Sequence, residues 1–317
     1  MARSTRIYFA TDLHGSSKCF RKFLNAGPVY KADVMILGGD VAGKAIQSIV
    51  RGPGGKYSCS FIGSDYSLDD GPDLEALEKL IADHGYYPYR AEPGELEARR
   101  DDGTLDGLFL ELMQQRLSGW LTLADERLRP LGKRLLFMLG NDDPPPLARL
   151  LDAAPWGEHD EGKILWIDDD HEMMSWGFSN RTPWNSYREQ DEPALATALS
   201  KMGAELANPE RAIVNVHVPP FGTQLDDAPV LDDNLQVQQV LGQVKMAPVG
   251  STAVCDFLTE RQPLLSLHGH IHESSGIRRL GRTIAINPGS DYSTGTLNGA
   301  LITVERDKVS THQLVRG

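Results

Sequence analysis

The chain is poor in cysteine and has no long apolar run. Its 317 residues include only three cysteines, Cys19, Cys59 and Cys255, which form no CxxC pair and no Cys/His cluster. This spacing argues against a disulfide framework and a structural zinc site, so we expect three reduced thiols. No run approaches the roughly 18 apolar residues of a membrane helix. The first residues, MARSTRIYFATD, also lack the apolar stretch of a signal peptide. We therefore expect a cytoplasmic protein with no membrane partner.

Basic residues are also scarce. There are 32 Lys and Arg against 44 Asp and Glu, which gives a formal net charge of −12. Non-specific binding to a nucleic-acid backbone is not expected, because phosphate contacts need Lys and Arg. A phosphorylated small molecule or nucleotide stays open as a substrate, because carboxylates can hold metal ions that present positive charge to phosphate. The sequence gives no indication of the oligomeric state.

The order of apolar runs predicts an α/β fold. The first part of the chain predicts a parallel βαβ unit. Its strands are RIYFATDLHG and ADVMILGGD, and between them lies a helix over residues 17–26 that Gly27-Pro28 closes. The later half is richer in hairpins: KILWID and HEMMSWGF alternate like antiparallel strands around a solvated acidic turn at residues 168–170. We expect two packed mixed sheets flanked by helices.

No linker or internal repeat divides the chain, so we expect one domain over residues 1–317. A long insertion-like flank occupies about residues 41–134. Within it, the spacing of apolar residues predicts helices over 72–84 and 108–128, and KYSCSFIG can form a short strand. Residues 85–107 are rich in Gly, Pro and charge, which indicates a surface excursion. The flank is a candidate lid or side wall.

Polar residues follow five separate apolar runs, where ligands sit in open α/β sheets. A single histidine at a strand end is more often a hydrogen-bonded structural residue than a ligand. Here the polar residues at the five strand ends supply only carboxylates, an amide and imidazoles, which are ligands of divalent Mn, Fe and Zn. The candidates are Asp12, His14, Asp40, Asn141, His217, His268 and His270.

In chain order, the short motifs at these strand ends are D-L-H, G-G-D, G-N-D-D, V-H and H-G-H. The pattern resembles the calcineurin-like metallophosphoesterase superfamily, whose blocks are DxH, GD, GNH(D/E), H and GHxH. The blocks span Asp12 to His270, most of the chain. The resemblance implies a four-layer α/β/β/α sandwich and a phosphoric ester hydrolase with two divalent metal ions. It also implies that a hydroxide held by the metals attacks phosphorus in line.

The resemblance also implies a role for each position. One metal is expected on Asp12, His14 and His270, and the other on Asn141, His217 and His268. Asp40 is expected to bridge the two. Three glycines are expected to let the backbone turn close to the metals: Gly39, Gly140 and Gly269.

The chain departs from the family at Asp142, where the family has a histidine that assists the leaving oxygen or the phosphate. Asp142 and Asp143 form a carboxylate pair that can share a proton, so Asp142 is a candidate general acid. Alternatively, Asp142 only hydrogen-bonds the turn, and water or another residue donates the proton. His171 and His272 are two candidate substitutes, although ordinary structural roles are the commoner case. Without a strong acid, we expect the rate to depend more on the quality of the leaving group.

Three further residues are candidates near a substrate. Arg181, in SNRTPWNSYRE, is a candidate phosphate ligand alongside Asn141, and Trp184 is a candidate stacking face. The commoner roles for such residues are a surface ion pair for Arg181 and a packed indole for Trp184. Asn287, in INPGS, is expected to shape a turn beside the site.

The function that the sequence predicts is a metal-dependent phosphoesterase, with phosphodiesters slightly preferred over phosphomonoesters. A protein or small-molecule phosphatase is the alternative within enzymes. A catalytically weak or inactive binding protein on the same fold is the alternative outside them. All seven expected ligands are present, which favours the enzyme.

Overall fold

The computed structural model describes residues 4–232 and 234–317. The strands, in chain order, are β1 (Ser4–Ala10), β2 (Val34–Gly38), β3 (Ile46–Arg51), β4 (Tyr57–Phe61), β5 (Ser64–Leu68), β6 (Tyr87–Ala91), β7 (Arg134–Met138), β8 (Glu158–His159), β9 (Ile164–Trp166), β10 (Glu172–Trp176), β11 (Ile213–Val216), β12 (Asp227–Pro229), β13 (Gln239–Val240), β14 (Gln243–Val244), β15 (Met246–Pro248), β16 (Leu265–Leu267), β17 (Gly276–Leu280), β18 (Thr283–Asn287), β19 (Asn298–Glu305) and β20 (Lys308–Arg316). The helices are α1 (Ser17–Val29), α2 (Pro72–Asp83), α3 (Glu95–Asp101), α4 (Leu105–Leu128), α5 (Ala148–Asp152), α6 (Glu192–Gly203) and α7 (Thr252–Arg261).

Two six-stranded mixed sheets form the body of the protein. The first has the order β20-β19-β1-β2-β7-β8, and the second has the order β17-β18-β16-β11-β10-β9. Strands β1, β2 and β7 run parallel to one another, as do β10, β11, β16 and β18. The antiparallel pair β9–β10 confirms the hairpin that the alternating pattern around the acidic turn predicts.

Apolar side chains on both faces of each sheet produce four layers. The inner faces meet in one cluster, in which Phe9 and Ile36 of the first sheet lie with Ile213 and Leu267 of the second. The outer face of the first sheet packs on α1, α4 and α5, and that of the second packs on α6 and α7. The central strands are therefore apolar on both sides, as parallel strands covered by helices must be. The two-sheet sandwich flanked by helices is confirmed.

The flank has a small sheet and core of its own. Strands β5-β4-β3-β6 form a four-stranded sheet, and Ile49 and Phe61 pack against the apolar face of α2. Residues 85–107 lie mostly at the surface, as expected, but they also contain two regular elements: β6, which pairs with β3, and α3. The short strand β6 has no alternating apolar pattern, and its pairing partner β3 lies about 40 residues away in sequence, so local sequence did not indicate it.

Two further points concern the helices. Helix α1 continues through Gly27-Pro28 to Val29, because a proline in the last turn forgoes one hydrogen bond while Ala32 still donates to the Gly27 carbonyl. Within the described residues, no helix is both long enough and apolar enough to span a bilayer.

Candidate metal centre

Loops that follow five parallel strands meet at one edge of the sandwich. Strands β1, β2 and β7 are neighbours in the first sheet, and β11 and β16 are neighbours in the second, so their carboxyl ends point the same way. The Asp12 amide donates to the Gly39 carbonyl at 3.0 Å, which joins the loops after β1 and β2. The ring Nδ1 of His217 lies 2.9 Å from the Gly38 carbonyl, which joins the two sheets. These contacts bring most of the sequence-predicted residues together.

Asp12, His14 and His272 form the first group of candidate ligands. The Nε2 atoms of His14 and His272 lie 3.0 Å apart. Asp12 Oδ1 lies 3.4 Å from His272 Nε2 and 4.0 Å from His14 Nε2. Three donor atoms this close to one another can surround a single divalent ion.

Asp40, His217 and His270 form the second group. One carboxylate oxygen, Asp40 Oδ2, lies 3.4 Å from His217 Nε2 and 3.5 Å from His14 Nε2. Asp40 therefore contacts a histidine of each group. The two groups overlap, because Asp12 Oδ1 also lies 3.8 Å from His217 Nε2, and His14, Asp40 and Asp142 also lie close to one another. The expectation was that His270 joins Asp12 and His14, but the structure places it with Asp40 and His217.

The amide of Asn141 is fixed by two neighbouring side chains. Its Nδ2 donates to Ser186 Oγ at 2.7 Å and to Asp142 Oδ1 at 3.0 Å, which fixes the orientation of the amide. Its Oδ1 is buried and has no hydrogen-bond partner within the described residues. Sequence reasoning did not identify Ser186, because a serine in a loop 45 residues away carries no local signal.

His268 does not join either group of candidate ligands. Its Nδ1 lies 2.8 Å from the Val216 carbonyl, and its Nε2 lies 2.6 Å from Ser266 Oγ, so both ring nitrogens are engaged inside the protein. His268 was expected among the ligands of the second metal, but the structure brings His272 to the cluster in its place, while a backbone carbonyl and a hydroxyl hold the His268 ring. The sequence did contain an indication of His272, because the GHxH block fits Gly269 to His272 when it is counted from the glycine.

The charges of the cluster perturb its titratable groups strongly. Burial alone raises the pKa of Asp12, but the hydrogen bond with His272 and the nearby His217 hold it at about 2. Burial lowers the pKa of His217, but the Asp40 and Asp12 carboxylates outweigh this effect and raise it to about 9. Burial holds the pKa of His270 at about 4. The negative field that favours a proton on His217 equally favours a metal cation.

The backbone at the centre is held in a rarely populated conformation. Asp12, His14, Asp40 and His270 all have positive φ values, between 40° and 66°, a region that costs energy for residues other than glycine. Gly39 has φ +106°, and a Cβ there would lie 2.6 Å from His217 Nδ1. The turn at Gly39 therefore needs glycine on both counts, as the sequence predicts. Surrounding contacts must stabilise these turns.

Asp142 lies beside the centre and pairs with a lysine. Its Oδ2 is 2.7 Å from Lys44 Nζ, and its amide donates to Asp40 Oδ1 at 3.0 Å. Burial and the Asp40 charge raise the pKa of Asp142, while Lys44 opposes the shift. Burial lowers the pKa of Lys44, but Asp142 and Asp40 together raise it to about 12. Lys44 is therefore a permanent cation, and no motif of the sequence pointed to it.

Asp143 has a structural position. It is fully buried and accepts backbone N–H bonds from Val41, Ala42 and Gly140 at 2.8–3.0 Å. Burial and the Asp40 charge raise its pKa to about 7 against the effect of those donors. The side chain links the loop after β2 to the loop after β7. The expected Asp142–Asp143 pair therefore does not form.

The remaining sequence candidates lie around the centre. Arg181 is exposed and does not line the cleft described below. Arg188, which the sequence did not single out, is buried; its guanidinium donates to the Gly140 carbonyl and pairs with Glu161. Asn287 donates to the Gly269 and Ile271 carbonyls and so shapes the turn that carries His270, as expected. His171 is buried against Asp168, in the acidic turn.

The donor set fits divalent metal ions. Three buried polar atoms of the cluster have no hydrogen-bond partner within the described residues: His14 Nδ1, Asn141 Oδ1 and His217 Nε2. His217 is also oriented by a backbone carbonyl on its other nitrogen, as metal-binding histidines usually are. A buried acceptor without a partner is costly. A cation would meet Asn141 Oδ1 directly, and it would meet His217 Nε2 by displacing the proton that the raised pKa favours on that ring.

Comparison with known proteins identifies the fold. No protein-family model and no curated protein sequence matches the chain. A protein of Thermus thermophilus, TT1561, matches over 99% of both chains with a TM-score of 0.54 and 12% identity. Structural matches also include a dimetal phosphatase from Danio rerio (TM-score 0.42, 10% identity, 98% of both chains). A further match is an archaeal phosphodiesterase (TM-score 0.36, 10% identity, 99% of this chain and 100% of that one).

The chain therefore shares its overall fold with TT1561. The two mixed sheets, the outer helices and the polar edge agree with the architecture that the motif resemblance implies. In this fold, the residues at the centre come from both sheets, so the sandwich must be assembled before these side chains can meet. At these levels of identity, the comparisons concern the fold alone.

Proposed function

We propose that this single-domain protein hydrolyses phosphoric esters with two divalent metal ions. The observation that carries the proposal is the pair of Asp/His groups on either side of Asp40 Oδ2. A shared carboxylate between two donor groups is what a dinuclear centre requires. The unpartnered acceptors support the same conclusion.

The ligand sets follow the observed grouping. Asp12, His14 and His272 hold one ion, and Asn141, His217 and His270 hold the other, with Asp40 shared. These residues are carboxylate, amide and imidazole donors, which suits Mn, Fe or Zn. When bound, such ions polarise phosphate oxygens and lower the pKa of water to near neutrality.

Lys44 and Asp142 supply the chain's own contribution. In place of the family imidazole, the protein has a cation, Lys44, held by the Asp142 carboxylate. We assign Lys44 the role of contacting a phosphate oxygen or the departing oxygen, and Asp142 the role of positioning that lysine. Asp142 is neither the general acid nor a passive member of the turn in this proposal.

A phosphodiester suits this site better than a phosphomonoester. A diester carries one negative charge and a monoester carries up to two near neutral pH. Because Lys44 is paired with Asp142, the pair is close to neutral and attracts the second charge of a dianion less than an unpaired cation would. The diester is therefore the preferred substrate class, with the phosphatase activity as the alternative.

The test compares bis-p-nitrophenyl phosphate with p-nitrophenyl phosphate in the presence of Mn. The variants are Asp40→Asn and a control, Asp256→Asn, whose exposed carboxylate lies on α7. We expect hydrolysis by the natural protein and by the control, and loss of about a thousandfold or more in Asp40→Asn, because the shared ligand is lost. Metal content after dialysis should fall in the same variant.

Two results would contradict the proposal. Activity that survives in Asp40→Asn would show that the cluster is not the catalytic centre. A natural protein that binds no metal after incubation with Mn, Fe or Zn and hydrolyses neither ester would favour the binding-protein alternative.

A further inference from the structure

A cleft opens beside the candidate metal centre. It measures about 430 Å³ and starts at Lys44 and Asp142. That volume lies within the range of pockets that bind small ligands, about 300–1,000 Å³. None of the motif blocks contributes its far walls.

The first wall comes from the flank. Phe109 and Met113 of α4 line it, and Phe109 packs edge-on against the Tyr87 ring at 5.6 Å between centroids. Tyr87 is buried, accepts a hydrogen bond from the Gly43 amide at 2.9 Å, and lies 4.3 Å from the Arg116 guanidinium. The aromatic wall is therefore braced against the loop that carries Lys44.

The second wall comes from the loop after β10. Trp184 and Tyr187 line the cleft, and both are large aromatic side chains with 63% and 61% of their surface exposed. The buried Glu189 carboxylate holds this loop, since it accepts hydrogen bonds from the Ser186 amide and hydroxyl at 2.9 and 2.7 Å. Ser186 also receives the Asn141 amide, so the loop is tied directly to the metal centre.

We propose that this cleft binds a planar, largely apolar group esterified to the substrate phosphate, as in a nucleoside phosphate. The inference deepens the proposed function and rests on it for the position of the phosphate. Two largely exposed aromatic side chains line the cleft together with a phenylalanine and a methionine, and such side chains provide stacking surfaces for a flat ring. The Lys44 cation lies at one end of the cleft. In the proposed complex, the anionic phosphate lies at that end and the ring-bearing group extends from it into the cleft.

The test compares the binding of AMP with that of ribose 5-phosphate. The two probes share the sugar and the phosphate and differ only in the base, so the ratio of their Kd values isolates the ring. Calorimetry on the protein as purified gives both Kd values without turnover of a chromogenic substrate. The variants are Trp184→Ala and, as control, Trp166→Ala, whose indole is 51% exposed on β9 and does not line the cleft.

We expect the natural protein and Trp166→Ala to bind AMP about tenfold more tightly than ribose 5-phosphate, within the range of base–aromatic stacking. In Trp184→Ala the preference should fall to about two- or threefold. Equal preference in Trp184→Ala and the natural protein, or no preference for AMP in the natural protein, would overturn the inference.

The outcome is separable from that of the proposed function. A preference for AMP that depends on Trp184, in a protein that hydrolyses no ester, would keep the cleft and reject the phosphoesterase. Hydrolysis that needs Asp40, in a protein with no preference for AMP, would keep the phosphoesterase and reject a ring-binding cleft.

Discussion

Replacing Lys44 by methionine removes the cation beside the metal centre while keeping the length of the side chain. The Nζ atom lies 2.7 Å from Asp142, and the side chain is 48% exposed. A hydrogen bond that involves a charged group contributes about 1.5–3 kcal/mol. Half exposure favours the lower part of that range. Since about 1.4 kcal/mol changes a rate tenfold, we expect kcat/KM for a phosphodiester to fall by roughly ten- to thirtyfold.

The assay is a series of aryl phosphodiesters whose leaving phenols differ in pKa. If Lys44 stabilises the departing oxygen, the loss in Lys44→Met should grow as the leaving group becomes more basic. If Lys44 contacts only a non-reacting phosphate oxygen, the loss should be constant across the series. Because the pKa of Lys44 is raised to about 12, its contribution should not change between about pH 6 and 9.

Three variants sharpen this experiment. Lys44→Arg keeps the charge and should retain most of the activity. Lys56→Met is the matched control, since Lys56 also pairs with a carboxylate, at 3.6 Å, and is 53% exposed on the flank. If Lys44 serves only to neutralise Asp142, then Asp142→Asn should restore the activity of Lys44→Met. An unchanged kcat/KM in Lys44→Met, or a loss equal to that of Lys56→Met, would refute the role assigned to Lys44.

Two further predictions concern the histidines. His272→Ala should lose about half of the bound metal, with little change in the Tm of the metal-free protein. His268→Ala should instead lower that Tm, because the hydrogen bonds of its ring are lost. Metal analysis and thermal unfolding measure the two effects, and the reverse pattern would contradict the grouping. The His171–Asp168 contact, at 2.8 Å, raises the pKa of His171 and lowers that of Asp168. Its stabilisation should be full between about pH 4 and 6.5 and should be lost as pH rises through the folded pKa of His171. Denaturant unfolding of His171→Asn should therefore show about 1 kcal/mol of destabilisation near pH 5.5 and less near pH 9, and equal losses at both would contradict the pair.

The loop that carries Trp184 shows how far local sequence could lead. The notable composition of SNRTPWNSYRE pointed to Arg181 and Trp184 as substrate contacts. Only Trp184 lines the cleft. The residues that hold the loop, Ser186 and Glu189, have no distinctive spacing, because their partners are chosen by the folded path of the loop.

The sequence by itself determined the architecture and the chemical type of the centre. The sequence has apolar runs long enough for buried strands, and each is followed by Asp, Asn or His. The apolar residues can be buried while these polar residues stay together only if the strand ends gather at one side of the sheets. That requirement was sufficient to predict two mixed sheets, the outer helices and a carboxylate–imidazole centre. The shared position of Asp40 came instead from the family resemblance and stays a prediction; in the structure, Asp40 Oδ2 lies 3.5 Å from His14 Nε2 and 3.4 Å from His217 Nε2.

Only the tertiary structure decided which side chains face one another. His268 and His272 follow the same strand, yet the first bonds to backbone carbonyls and the second reaches Asp12. Lys44 and Asp142 are 98 residues apart and meet only because β2 and β7 are neighbours. The physical reason is that loop conformation, including residues held at positive φ, sets these pairings, and local propensity and periodicity carry no information about it.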